Sequence, residues 1–165
     1  MIFGSEWQRQ ACLGEHTTSC IGADLPPSRQ RGLPKPFRRI DPSQLPPVLD
    51  LEWNSASPTC PKRVPREQAL EEISVMLSMM EQHTGKRPVI YTDITFHRDV
   101  LQGELKGYDF WLRSVAAEPE AGFQNRAWTF WQYTATGHVP GIQGEVDRNA
   151  LHGSEREWKK WVRER

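Results

Sequence analysis

The chain has no apolar run longer than a few residues, whereas a helix needs roughly 20 to cross a bilayer, so no segment reads as a membrane span. Its N-terminus lacks a basic start followed by an apolar stretch, and no export signal is expected in it. Cysteine is scarce. Cys12, Cys20 and Cys60 form an odd set without CxxC spacing, which excludes a disulfide framework and makes a poor zinc site, even with His16 between the first two. Excess charge of either sign is also missing: 21 Lys plus Arg stand against 21 Asp plus Glu, so no global field argues for nucleic acid or an anionic membrane as partner. What the chain does have is aromatic mass, with 7 Trp in 165 residues. Large flat rings are common where sugars or peptides stack, although core packing is the default reading for most of them. The length suits one sizeable domain and is short for two.

Proline and glycine divide the chain unevenly. In residues 1–44, Pro26, Pro27, Gly32, Pro34 and Pro36 interrupt the sequence and no helical or strand period emerges, so this part is expected to be poorly ordered. Residues 45–165 alternate short apolar runs with one strong helix, the pattern of an α/β domain. Val48 to Glu52 reads as a strand with Leu49 and Leu51 on one face and Val48, Asp50 and Glu52 on the other. Pro65 opens a helix to about His83 with Ala69, Ile73, Met76, Leu77 and Met80 in one stripe, and Gly85 ends it. Arg87 to Thr92 is a second strand, which suggests a parallel crossover unit. A brief helix is expected at Phe96 to Leu101, and strands at Phe110 to Val115, Trp128 to Thr134 and Val146 to Ala150. Ser154 followed by Glu157 is a capping box for a last helix that packs through Trp158 and Trp161.

The chemistry concentrates where the first of these strands ends. Asp50 and Glu52, at i and i+2, project from one face of the strand at its C-terminal end, where loops vary while strands hold side chains still. Adjacent like charges push one pKa upward, keeping one carboxylic acid protonated beside an ionised one. Glycoside cleavage requires that pair: a proton for the leaving oxygen and negative charge beside an oxocarbenium-like transition state. Taken alone, Asp-x-Glu at a strand end also fits an exposed turn, a capping acid or a metal ligand, although a metal would need further ligands that are not obvious here. Tyr91, Trp111 with Arg113, Trp131 with Gln132, and Asp147 with Asn149 fall at the other strand ends and would furnish a sugar cleft with rings, amides and acids.

Five ordered motifs carry a resemblance: Leu-Pro-Pro-Val-Leu-Asp-Leu-Glu-Trp at 45–53, Gly-Lys-Arg-Pro-Val-Ile-Tyr-Thr at 85–92, Phe-Trp-Leu-Arg-Ser at 110–114, Trp-Thr-Phe-Trp-Gln-Tyr-Thr at 128–134 and Gly-Glu-Val-Asp-Arg-Asn at 144–149. From Leu45 to about Trp161 the chain resembles glycoside hydrolase family 25, lysozymes that cut the β-1,4 bond between N-acetylmuramic acid and N-acetylglucosamine in peptidoglycan. The resemblance implies an irregular TIM-like (β/α) barrel of five βα units and three further strands. It implies Glu52 as general acid, Asp50 as the carboxylate that orients the substrate's 2-acetamido group, and Asp147 as a further active-site acid. Tyr91, Trp111, Trp131 and Gln132 are the expected substrate-binding residues. No cofactor and no metal are expected, the partner is the peptidoglycan glycan strand, and the setting is extracellular or periplasmic, with the protein a monomer.

Two carboxylates at i and i+2 sit about 6.5 to 7 Å apart along a strand. That exceeds the ~5 to 5.5 Å of a direct nucleophile and acid pair, so the spacing favours help from the substrate's own acetamido group, while an inverting scheme also fits. The family's first strand, with its own Asp, and the two that follow it have no counterpart before Asp50. An incomplete barrel is therefore expected, from a fragment or frame-altered product whose first 40 or so residues are not the family's N-terminal part. Two other readings stay open: a wall-binding module that keeps the aromatic residues without the chemistry, and a remnant that does not fold alone.

Overall fold

The structure, a computed structural model, describes residues 44–56 and 63–165. The expectation of poor order in the N-terminal segment, and those attached to Cys12, His16, Cys20 and Cys60, lie outside the described residues.

Pro46 and Pro47 lead into β1 (Val48–Leu51), whose alternating burial leaves Leu51 1% exposed and Asp50 open to solvent. Helix α1 (Arg66–Thr84) follows, with Pro65 as the residue before its first turn and Gly85 closing it at φ 69°, where the missing Cβ removes the left-handed penalty. Its Ala69, Ile73 and Leu77, spaced four apart, are its buried residues, while Met76 and Met80 flank them half-buried. Strand β2 (Val89–Asp93) runs into the short helix α2 (Ile94–Phe96), which continues as a π-helical turn (His97–Leu101). Then come β3 (Asp109–Arg113), the single turn α3 (Pro119–Gly122), β4 (Phe130–Gly137), β5 (Val146–Leu151) and α4 (Glu155–Glu164).

The strands form one sheet in the order β1-β2-β3-β4-β5. The first three pairings are parallel, as crossover connections require, and β4 pairs with β5 antiparallel through register shifts after Gln132. Sheet order therefore follows chain order, as in a barrel, but among the described residues the sheet stays open, with β1 and β5 at its edges. One face carries Leu49, Leu51, Ile90, Phe110 and Leu112 against Ala69, Ile73 and Leu77 of α1 and Phe96, Val100 and Leu101 of the α2 segment. Inside this core the Thr92 hydroxyl donates to the Leu51 carbonyl at 2.9 Å, satisfying a buried polar group and joining β2 to β1.

The expected elements appear, with ends moved by physical causes. The fourth strand starts later than Trp128 and runs on to Gly137 because its antiparallel partner β5 supplies hydrogen bonds beyond Thr134. The third begins at Asp109, drawn in by pairing with Val89. Helix α4 is capped as its sequence indicates: Ser154 Oγ accepts from Glu157 N, and Ser154 N donates to Glu157 Oε2 at 2.6 Å. Trp161 packs edge-on against Phe130 at 5.1 Å and donates to Asp109 Oδ2 at 2.9 Å, which pins α4 beneath the N-terminal strand ends.

Candidate active site

The second face of the sheet carries polar chemistry. Parallel pairing aligns Asp50 with Tyr91 and Tyr91 with Trp111, while the next row on this face aligns Asp93, Arg113, Gln132 and Asn149. Glu52, one position past β1, falls level with that second row. Because side chains alternate along each strand, all of these point to one side, towards the C-terminal ends of β1, β2 and β3. Asp147 lies two positions before Asn149 on β5, near enough for its charge to act on Glu52 and Tyr91.

Hydrogen bonds fix the floor. Tyr91 Oη donates to Gln132 Oε1 at 2.6 Å, and Trp111 Nε1 donates to Asn149 Oδ1 at 2.8 Å. Gln132 and Asn149 are themselves buried, so each needs such a partner, and the two bonds lock the rings across β2, β3, β4 and β5. Tyr91 and Trp111 meet edge to face at 5.5 Å. The result is a rigid aromatic and amide surface beside the acids.

The acids themselves are tuned. Loss of hydration beside the protein wall raises the Glu52 pKa to about 7, and the charges of Asp50, Asp93 and Asp147 push in the same direction against the opposing pull of Arg113. Asp50 is raised too, first by desolvation and then by Asp93. Both residues remain exposed, so a substrate can reach them although each carboxyl is partly dehydrated. A carboxyl near 7 is half protonated at neutrality, which suits proton donation to a leaving oxygen. Burial and the charges of Glu52, Asp50 and Asp147 also push the Tyr91 phenol upward, so it stays a neutral donor.

The loop after β1 is anchored. Trp53 Nε1 donates to Asp99 Oδ2 at 3.1 Å, Arg63 pairs with the same oxygen at 2.9 Å, and the Trp53 ring meets Phe96 at 4.7 Å. Glu52 is thus held between a paired strand and a clamped indole.

Of the residues singled out from the sequence, Glu52, Asp50, Asp147, Tyr91, Trp111 and Gln132 come together. Trp131 does not join them. It pairs in register with Leu112 and Ala150, so alternation turns its ring to the helix side, where Nε1 donates to the Ser114 carbonyl at 2.8 Å and the ring meets Trp128 at 6.1 Å. Sequence reasoning missed Asp93, whose Oδ1 accepts from Phe96 N at 2.7 Å and caps α2 while its charge raises both neighbouring acids. The signal was present: Tyr91 and Asp93 repeat the i, i+2 spacing of Asp50 and Glu52 one strand over.

A separate recess of about 460 Å³ opens on the helix side, lined in part by His97, Lys106, Phe110, Phe123 and Arg126. It has no carboxylate in its lining, and its Arg126 bonds to His97 Nε2 at 3.0 Å and to the Glu104 carbonyl at 2.8 Å. That chemistry braces a loop and provides no acid. Among the described residues no three His, Cys, Asp or Glu side chains gather as metal ligands, and no helix is long and apolar enough to cross a membrane.

Paired carboxylates at strand ends, one held near neutrality beside two edge-to-face rings, are an arrangement that glycosidases use. The comparisons narrow this. Residues 37–142 match the model for glycosyl hydrolases family 25, and the chain belongs to that family. It is similar to a family 25 glycosyl hydrolase from Bacillus anthracis, with 33% identity and a TM-score of 0.62 over 72% of this chain and 54% of that one. A bacterial lysozyme from Streptomyces coelicolor matches at 32% identity and a TM-score of 0.61, over 75% of this chain and 58% of the other. Lysozyme M1 of Streptomyces globisporus is 34% identical over 117 residues, covering 67% of this chain and 38% of its own length. The chain thus spans between about two-fifths and three-fifths of these relatives.

Proposed function

We propose that the chain cleaves the β-1,4 bond between N-acetylmuramic acid and N-acetylglucosamine in bacterial peptidoglycan, with residues 45–165 forming the catalytic part of an irregular TIM-like barrel. The observation that carries this reading is the Glu52 carboxyl, raised to about 7 within a cluster of acids beside the Tyr91 and Trp111 rings. Glu52 gives its proton to the glycosidic oxygen as that bond breaks. Asp50 accepts a hydrogen bond from the 2-acetamido N–H, turning the acetamido oxygen towards the anomeric carbon, where it forms the new bond. Water then attacks that carbon, the bond to the acetamido oxygen breaks and restores the acetamido group, and the water passes a proton back to Glu52. Asp147 adds negative charge beside the developing oxocarbenium ion. Tyr91, Trp111 and Gln132 provide the surface on which the sugar rests. The glycan strand outside the cytoplasm is the partner, and the protein works as a monomer.

The test is turbidity clearing and reducing-end release from purified cell wall. Glu52→Gln keeps the shape and removes the proton, so turnover falls by about 10²- to 10⁴-fold with unchanged circular dichroism. Full clearing by the variant would place the donor elsewhere. The open sheet among the described residues favours a second reading, in which the face binds wall glycan without cutting it. Co-sedimentation with insoluble wall and no new reducing ends would select that reading.

A further inference from the structure

The recess on the helix side gathers strained backbone and unbalanced positive charge, and we infer that it binds a phosphate monoester with a sugar-sized body, at a site separate from the acid-lined cleft. All three described non-glycine residues with positive φ stand on its two loops: Leu105 at 52°, Gln124 at 50° and Asn125 at 61°. The π-helical turn that begins at His97 supplies another part of its wall. Left-handed residues with side chains and π-turns cost energy, and folds keep them where they shape a functional surface. Here Leu105 and Asn125 immediately precede Lys106 and Arg126, so the strained positions set the direction of two cations that line the recess.

Nothing within the recess balances those cations. Lys106 is exposed and has no hydrogen bond or ion pair among the described residues. Arg126 lies over the Phe110 ring at 4.4 Å and donates through Nε to His97 and through Nη1 and Nη2 to the Glu104 and Leu101 carbonyls, which leaves two of its five N–H groups for a ligand. His97 accepts at Nε2, and burial lowers its pKa to about 4, so it stays neutral near pH 7. No carboxylate lines the recess, and the acids closest in sequence to Lys106 are turned to other partners: Glu104 Oε1 accepts from Arg66 at 2.6 Å, and Asp109 accepts from Thr129 at 3.0 Å and from Trp161 at 2.9 Å. Two cations without a counter-charge match the charge of about −1.5 to −2 on a phosphate monoester better than the single charge of a carboxylate. The volume of about 460 Å³ lies in the small-molecule range and exceeds what bare phosphate fills, so the anion carries a body, for which Tyr108, Gln124 and Asn125 provide a polar wall.

Three probes test this in NMR titrations of the full chain near pH 7: glucose 1-phosphate, inorganic phosphate and glucose. Glucose 1-phosphate is expected to bind saturably and more tightly than inorganic phosphate, with glucose showing no saturable binding. The amide shifts should move at Lys106, Gln124 and Asn125 and stay in place at Tyr91 and Trp111. Arg126 also braces two backbone carbonyls, so its substitution can unfold the loop, whereas Lys106 is exposed and its variants leave the packing intact. Lys106→Ala should weaken glucose 1-phosphate by about tenfold, Lys106→Glu should remove saturable binding, and Lys106→Arg should retain most of it, all with unchanged circular dichroism. The inference is overturned if neither phosphate probe saturates, if glucose 1-phosphate binds no better than inorganic phosphate, or if Lys106→Glu binds the ester as the unaltered chain does. Shifts confined to Tyr91 and Trp111 overturn it as well, because they would put the ligand in the cleft.

Discussion

The two faces of β1 differ by one residue in register and by everything in chemistry. Leu49 and Leu51 lie in a closed apolar layer against α1, and Asp50 and Glu52 project from the same four-residue backbone segment and its first following position into a polar face. The difference teaches how a strand can hold acids at raised pKa without losing its place: the leucines supply the burial that fixes the strand, and the acids take their position from it. The same division runs through β2, where Ile90 and Thr92 are buried and Tyr91 and Asp93 face the acids, and through β3, where Phe110 and Leu112 alternate with Trp111 and Arg113.

The largest effect on this division should come from the apolar face. Leu51 is 1% exposed inside the cluster of Ile73, Ile90 and Leu112. Leu51→Ala removes its contacts and leaves a cavity that paired strands cannot close, so stability should fall by about 2 to 5 kcal/mol in chemical denaturation. A loss below 1 kcal/mol would mean that β1 is held chiefly by its backbone ladder, and the acids would then not depend on the leucines.

A smaller effect is expected on the polar face. Tyr91→Phe keeps the ring against Trp111 but leaves Gln132 Oε1, on a side chain only 3% exposed, without its 2.6 Å donor. The uncompensated amide should lower stability by about 1 to 3 kcal/mol. If denaturation shows no change, water replaces the phenol, and the floor is wetter than its hydrogen bonds indicate.

The division was largely legible in the sequence, because strand alternation alone separates Leu49 and Leu51 from Asp50 and Glu52. The helix stripe at Ala69, Ile73 and Leu77, the Gly85 stop and the Ser154 capping box were equally plain, since each is a local rule acting within a few residues. Trp131 shows where such reading ends. Its neighbour Gln132 reaches the polar face and Trp131 does not, a matter of parity fixed by which residue of β4 meets Leu112. A register across strands is a non-local quantity, and the short aromatic run Trp128 to Tyr133 has rings in both parities, so composition cannot choose between them. Asp93 escaped for a related reason: as an acid before a helical turn it reads as a cap, which it is, and only the pairing of β1 with β2 brings its charge to Asp50. The family motifs located the acids by order along the chain, and the sheet supplied their neighbours.

The smallest expected effect is the pH dependence that links the two faces. Glu52 titrates at about 7 in the folded chain and near its ordinary 4.5 when unfolded, so between these values the folded state holds more protons. Stability contributed by the neutral carboxyl is therefore complete below about pH 4.5 and is lost as pH rises through about 7. Asp50, also raised, adds a loss of the same sign. His97 works oppositely: burial and Arg126 lower it to about 4 from 6.5, so its contribution is complete above pH 6.5 and is lost as pH falls through about 4. The two trends oppose each other until the unfolded imidazole, half protonated at pH 6.5, has lost its proton, but His97 acts alike in the unaltered chain and in Glu52→Gln and cancels from their difference. Chemical denaturation at pH 6.5 and 8 should thus show the unaltered chain losing stability relative to Glu52→Gln, the difference reaching at most about 1 kcal/mol because water around the exposed residue screens the charge. Parallel curves for the two proteins would mean that the Glu52 carboxyl is as well hydrated in the fold as out of it, and the acid would then lack the environment that sets it apart from an ordinary surface glutamate.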